Sequence, residues 1–328
     1  MREAARFDEV RVRTTLRTAY GLEVDALVFL ALGNDVDSWS YRAEAAGERY
    51  FLKVRSGTGA MPGATVPWRL ARHGVEGVLA PVTTRAETAF VTMDGYELAL
   101  YPMVDGRTGK RAGLSAAQWR AFGRTVRQIH EVPAGHAGAV RRETFVPSRR
   151  ELLPALDRLL SAPPPDDSVA RDLAALWREH REVIDALMAR TDAWGSRPFA
   201  YDPVLCHADL HTNNVLVDGN DRLWVIDWDE AVVAPRERDL MFAVGGGISR
   251  DLVSDDATAA FLEGYGPVAI DQRLLGYYRA AWAVQDIAAN GEQAVLTPGL
   301  TEPSRRDAVD DFAALFLPGQ IVDLATAG

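Results

Sequence analysis

Between Val204 and Ala231 the chain reads VLCHADLHTNNVLVDGNDRLWVIDWDEA, which sets His, Asp, Asn and Cys side chains among runs of β-branched residues. His207, Asp209 and Asn214 stand in the order H-x-D-x-x-x-x-N, and Asp227 follows at the end of the next apolar run. Phosphoryl transfer from ATP uses such a set. One carboxylate takes the proton of the attacking hydroxyl, while an Asn and a second carboxylate give oxygen ligands to the Mg²⁺ that bridges the phosphates. Two other chemistries compete at this point. His211 is four residues after His207, a spacing that suits zinc on a helix, so a metal-dependent hydrolase could use His207, Asp209 and His211. Cys206 is the one cysteine, and after Pro-Val-Leu it reads as a buried strand-end thiol rather than a nucleophile.

The elements around these residues decide how they meet. NVLV and LWVI flank Asp218–Arg222, a hairpin signal of two β runs separated by residues that tolerate positive φ. Antiparallel pairing would return Asp227 to the loop that carries Asp209 and Asn214. Zinc would explain neither Asn214 nor Asp227.

Upstream, RYFLKV places Lys53 inside an apolar strand. Lys occurs only at 53 and 110, all other basic residues of these two types being Arg, so a compact ammonium retained in a strand points to a specific role. In kinase-like sites that role is pairing with the α/β-phosphates. The N-terminal part reads as a helix over 5–20, strands through ALVFLALGNDVDSWSYRAEAAGERYFLKVRS with a hairpin marked by Gly47 and Glu48, a helix near 65–73, and strands near 78–93 and 96–103. LGNDVDSWSY, residues 32–41, is the candidate phosphate-covering loop and has only one Gly. YPMVDGR then leaves the sheet as a hinge, whose backbone at Tyr101 to Met103 would meet the adenine edge.

From Leu114 the pattern turns helical. Ser115 and Gln118 form a capping box ahead of Trp119, Phe122, Val126 and Ile129 on one face, with His130 as a core or C-terminal residue. SAPPPDDS is a linker, with Ser168 as N-cap of one long helix running through Met188. Further helices are expected at 236–244, 255–265, 270–291 and 303–315. The fold class is therefore α+β in two lobes: a nucleotide-binding lobe at 1–103 with an antiparallel sheet, and a mainly helical lobe at 104–328 that carries the catalytic loop and substrate site.

With these motifs in place, the chain resembles the aminoglycoside phosphotransferase family of kinase-like enzymes. LCHADLHTNNVLV resembles its catalytic loop, VIDWDEA its metal segment, and PRERDL the stretch that follows. YFLKV, YPMVDG, RQIHEV, IDWDEAVVAPRERDLMF and YYRAAWAVQDIA extend the likeness, over most of the chain, to the spectinomycin-phosphorylating members. The resemblance implies ATP- and Mg²⁺-dependent phosphorylation of an aminocyclitol hydroxyl, the 9-hydroxyl in spectinomycin. It gives Asp209 the part of catalytic base, Asn214 and Asp227 those of metal ligands, and Lys53 that of phosphate partner, with Asp239 tying loops together. A cationic acceptor calls for carboxylates and aromatic walls, for which Asp229, Glu230, Tyr278, Trp282, Asp286 and Glu292 are candidates. One feature departs from the pattern: no Asp or Glu lies between Lys53 and Glu76 to pair with Lys53 from the following helix.

Composition agrees with a folded small-molecule enzyme. The chain has 328 residues, 48% hydrophobic and 25% charged, with formal net charge -10. That balance disfavours nucleic-acid and anionic-membrane partners. The charged N-terminal stretch lacks a signal-like apolar core, so a cytoplasmic location is expected. The alternatives that keep the same fold are a kinase of choline, homoserine, an amino sugar or a biosynthetic intermediate, and a non-catalytic nucleotide-binding module.

Overall fold

The computed structural model describes residues 8–32, 37–57, 61–164, 166–196, 200–245, 247–248 and 251–327. Residues 33–36 of the expected phosphate-covering loop and 5–7 of the expected first helix lie outside them. Packing divides the chain into two compact units. The first comprises Met1–Arg142, Pro203–Ala234 and Ala260–Pro267, and the second Glu143–Asp202, Pro235–Ala259 and Val268–Gly328.

The first unit begins with helix α1 (Glu9–Tyr20), capped by the Asp8 carboxylate on the Val10 N–H. Strands β1 (Ala26–Leu30), β2 (Ser38–Ala45) and β3 (Glu48–Ser56) follow, then helix α2 (Pro62–Arg72) and strands β4 (Val91–Met93) and β5 (Tyr96–Pro102). They form an antiparallel sheet in the order β1-β2-β3-β5-β4. The β2–β3 turn has Ala46 and Gly47 both at positive φ, as a two-residue hairpin turn requires, and Glu48 already belongs to the strand.

Strand alternation explains why this sheet has two cores. Leu52, Val54, Leu98 and Leu100 pack on one face with Val12 and Leu16 of α1. Phe51, Ala99 and Tyr101 face the other way, toward Met61, Ala64 and Trp68 at α2. Lys53 pairs across the ladder with Ala99, so it shares the α2 face.

The expected strand at 78–93 is mostly irregular. Only Val91–Met93 joins the sheet, while Val78 makes a single bridge to Val225, with Leu79 N–H donating to the Val225 carbonyl at 3.1 Å. Pro81 cannot donate to a ladder, and Thr84 to Thr88 closes a local turn instead.

After β5, β6 (Gly106–Thr108), the short helix α3 (Gly109–Ala112), α4 (Ala116–Glu131) and the two-residue strand β7 (Arg141–Arg142) lead out of this part of the unit. The capping box on α4 is present as expected, and its buried face includes Trp119, Phe122, Val126 and Ile129. His130, in the last turn of that helix, is buried, with Nδ1 2.8 Å from the Tyr265 hydroxyl.

In the second unit come α5 (Leu153–Ser161), α6 (Ser168–Glu179), α7 (Arg181–Gly195), α8 (Glu237–Leu240), α9 (Asp255–Tyr265, shared with the first unit), α10 (Gln272–Val295), α11 (Glu302–Ala314) and α12 (Ile321–Thr326). Two details differ from expectation. The helix from Ser168 breaks at His180 into α6 and α7, and the N-cap is Asp167, whose carboxylate accepts from Ala170 N–H at 3.0 Å. A carboxylate caps a helix N-terminus as well as a hydroxyl does and adds a favourable charge there. Helix α10 is buried nearly all round because α6, α7, α11 and α12 pack against it. No described helix is long and apolar enough to cross a membrane.

Candidate active site

The 204–234 segment folds as one antiparallel pair nested inside another. Strands β8 (Val204–Cys206) and β11 (Val232–Ala234) form the outer pair, with Cys206 opposite Val232. Inside it, β9 (Val215–Asp218) pairs with β10 (Leu223–Val225), Val215 opposite Val225, and β6 adds to the free side of β9. The loop before β9 and the segment after β10 are therefore held at the same end of the inner hairpin. Its turn is fixed by Asp218, whose carboxylate accepts from the Asn220 and Arg222 N–H groups and from Trp224 Nε1.

His207 ties these two segments together. Its Nε2 donates to the Ile226 carbonyl at 2.8 Å, and its Nδ1 accepts from Asp209 N–H at 3.3 Å. The ring is fully buried against Trp228. Both nitrogens are committed, which removes His207 as a zinc ligand. His211 turns instead toward Asp209, with Nε2 3.2 Å from Oδ1. Cys206 is buried at the end of β8, as its sequence context suggested.

Asp209 and Asn214 meet directly. The Asn214 amide nitrogen donates to the Asp209 carbonyl at 2.7 Å and to its Oδ2 at 2.9 Å. With the nitrogen committed to these acceptors, the amide oxygen is directed the other way and is the atom able to ligate a metal. Asn214 also bonds through its backbone carbonyl to Ile226 N–H at 2.9 Å, one residue before Asp227. Asp227 has φ 63° and Ala208 φ 70°, so both segments turn sharply through a conformation that non-glycine residues rarely adopt.

Asp227 is the link to Lys53. Lys53 Nζ lies 3.1 Å from Asp227 Oδ1 and 2.5 Å from Asp229 Oδ2. Burial would lower the Lys53 ammonium, but the two carboxylates outweigh it and hold it above the ordinary lysine value. Desolvation would raise Asp227, whose side chain is 51% exposed, but the charge and hydrogen bond of Lys53 overcome this and hold it below the usual carboxylate range. Asp229, 25% exposed, is pushed up, first by burial and then by the negative charge of Asp227, against the pull of Lys53. The shorter contact thus belongs to the carboxylate with the raised value, because one ammonium is shared between two acids.

The remaining candidates are placed as follows. The Tyr101 side chain is buried with its hydroxyl donating to the Gly63 carbonyl at 2.9 Å, and Met103 N–H donates to the Arg49 carbonyl at 3.1 Å. Since Pro102 has no N–H, a nucleobase edge at the expected hinge would have to use carbonyls or a donor beyond Met103. Glu230 is exposed and pairs with Arg141, which also donates to its backbone carbonyl. Tyr278 and Trp282 are buried in the second unit beside the Arg238 guanidinium, at 5.5 and 5.3 Å, and the Tyr278 hydroxyl donates to Glu143. Asp286 is partly exposed on α10, Glu292 pairs with Arg149, and Asp239 is wholly buried. Sequence reading put Asp229 on the substrate side, whereas the structure seats it on Lys53. It also missed Gly63, where a Cβ would fall 2.0 Å from Asp229 Oδ1.

The chain that carries this nested hairpin is similar to known proteins. The description of the phosphotransferase enzyme family (APH) matches residues 29–282. The chain belongs to this family. Among curated relatives, an aminoglycoside 3'-phosphotransferase of Streptomyces fradiae is 31% identical over 170 residues, which is 48% of this chain and 56% of that one. Another, of Niallia circulans, is 34% identical over 83 residues, 25% of this chain and 31% of that one. The chain thus spans about half or less of the curated relatives it matches. Among solved structures, spectinomycin phosphotransferase APH(9)-Ia in complex with ADP and spectinomycin superposes with TM-score 0.87 and 28% identity, covering 98% of this chain and 99% of that one. The macrolide 2'-phosphotransferase MphH of Brachybacterium faecium, 20% identical with TM-score 0.56 and covering 93% of this chain and 98% of that one, shares the fold. The α+β, kinase-like reading of the sequence is borne out for this family member.

Proposed function

We propose that the chain is an ATP- and Mg²⁺-dependent O-phosphotransferase acting on an aminocyclitol, with the 9-hydroxyl of spectinomycin as the leading acceptor, so that it would confer resistance by inactivating the antibiotic. The observation that carries this reading is the Asp209–Asn214–Asp227–Lys53 constellation on one nested hairpin and one neighbouring strand. The near full-length likeness to APH(9)-Ia bound to ADP and spectinomycin supports the choice of acceptor.

In this reading Asp209 accepts the proton of the acceptor hydroxyl as the phosphoryl group transfers. The Asn214 amide fixes the Asp209 carboxylate by donating to it, and His211 stands at its other oxygen. Lys53 pairs with the phosphates from the sheet of residues 1–103, while 104–328 would bind the acceptor. The metal-facing atoms, the Asn214 amide oxygen and the Asp227 carboxylate, are the hard oxygen donors that Mg²⁺ prefers. Mg²⁺ would neutralise the charge that builds on the phosphates. Tyr101 and Met103 are proposed at the adenine edge. Glu230, Tyr278, Trp282 and Asp286 are proposed for acceptor recognition, which for the two buried rings means shaping the walls.

The deciding experiment is Mg²⁺-dependent ADP release from ATP with spectinomycin, choline or a kanamycin-type aminoglycoside present. Stimulation by spectinomycin alone supports the reading. Stimulation by choline alone replaces the acceptor, and none by any acceptor rejects the antibiotic-kinase assignment.

A further inference from the structure

Lys53 needs an anchor, and helix α2 (PGATVPWRLAR), which packs over its face of the sheet, offers no carboxylate. We infer that Asp229, seated by Gly63, is the positioning residue for Lys53, a role that rests on the kinase reading above and that kinase-like sites otherwise give to a helix acid. Asp227 is poorly suited to hold Lys53 throughout the reaction. It is the more exposed of the two acids and the proposed metal ligand, so its contact with Lys53 competes with ligation.

Asp229 is built differently. One oxygen is 2.5 Å from Lys53 Nζ, and the other is buried with no hydrogen-bond donor among the described residues. That second oxygen fits against the bare Cα of Gly63, where a Cβ would lie 2.0 Å away. Gly63 is itself fixed, because its carbonyl accepts from the buried Tyr101 hydroxyl. Contacts therefore run from Tyr101 through Gly63 and Asp229 to Lys53, all within the first unit. With one oxygen on Lys53 and the other against Gly63, Asp229 directs neither toward an acceptor.

The test is a double-mutant cycle of Gly63→Ala and Asp229→Ala with two readouts. The first is ADP binding by tryptophan fluorescence together with the KM for ATP and kcat, after urea unfolding has confirmed that each variant folds. The second needs neither nucleotide nor acceptor: competitive labelling with acetic anhydride, read by mass spectrometry as the reactivity of Lys53 relative to exposed Lys110, the only other lysine. An ammonium held in ion pairs reacts slowly, and a released amine reacts fast.

Asp229→Ala is expected to raise relative Lys53 labelling severalfold and to lower kcat/KM for ATP by about 10²-fold, the cost of roughly 1 Å of misplacement. Gly63→Ala should do the same in the native background and add nothing in Asp229→Ala, where no carboxylate remains to be displaced. If Gly63→Ala is equally damaging in both backgrounds, or if Asp229→Ala leaves Lys53 labelling unchanged, the inference is overturned. The same holds if Asp229→Ala acts only by raising the Mg²⁺ requirement. Failure of the wild-type protein to bind ADP would instead reject the kinase reading, while the labelling result would still report on the anchor.

Discussion

Replacing His207 by Leu tests whether the two segments proposed to be catalytic are held by one buried ring. The substitution keeps a comparable volume at a site with 0% exposure but removes both hydrogen bonds. The Ile226 carbonyl loses a 2.8 Å bond, and Asp209 N–H loses a weaker one at 3.3 Å. Leaving a buried backbone group unpaired costs about 1–3 kcal/mol, so the first loss falls in the upper half of that range and the second near its floor. Leu regains about 1 kcal/mol through apolar burial, giving a net loss of about 2–3 kcal/mol.

Urea denaturation should show this as a lower midpoint at unchanged slope. Because the lost bonds join the Asp227 segment to the Asp209 loop, kcat should also fall at temperatures where the variant is fully folded, by about 10- to 100-fold. His207→Gln, whose amide can still donate to the Ile226 carbonyl, should recover part of both losses. A Leu variant with native midpoint and native turnover would show that the nested strands alone hold the site, and the latch account would be wrong.

Other outcomes can be checked in parallel. Asp209→Asn should lower kcat by about 10²–10⁴-fold, as expected for a positioned general base, while ADP affinity measured by fluorescence stays near native. Asp227→Asn should lose activity most at limiting Mg²⁺ and regain part of it in a Mg²⁺ titration followed by ADP release. Asp167→Ala should lower stability at neutral pH by about 1 kcal/mol in urea denaturation. For Asp167 burial works to raise the carboxyl, but the Ala170 N–H and Arg305 outweigh it and hold it below the usual range. Its contribution is therefore complete above the unfolded-state value of about 4 and is lost as pH falls through the lower folded value, so the variant should show a flatter acid limb.

What could be read from the sequence was local. The Asp218–Arg222 turn, the Ser115–Gln118 capping box and the alternation around Lys53 each state their geometry within a few residues, and the structure carries all three. The 78–93 stretch misled because its apolar residues serve other partners. Val78 bridges to Val225, the last residue of β10, rather than to a strand of the sheet that holds Lys53. The helix from Ser168 carried an unbroken apolar pattern across His180, where α6 gives way to α7. The partner of Lys53 could not be read at all, since Asp229 is 176 residues away in sequence and arrives only through the strand pairing of 204–234. Its one sequence trace was negative, the missing acid before Glu76.

That missing acid also bears on how the proposed nucleotide site is assembled. A helix carboxylate would make the seating of Lys53 depend on the position of the helix. Here the charge comes from the hairpin segment that also supplies Asp227, so the lysine and the proposed metal ligand share one support. Helix α2 still acts on the site, but by shape: Gly63 leaves room for the Asp229 carboxylate, and any larger residue would push it onto Lys53 or away from it. Electrostatic contacts weaken gradually with distance, whereas steric ones change abruptly below contact distance. A small shift of the first turn of α2 would therefore be felt at Lys53 as a displacement of Asp229 rather than as a loss of charge. This is why adding one methyl group at Gly63 is the sharper probe of the site than any change of charge on the helix.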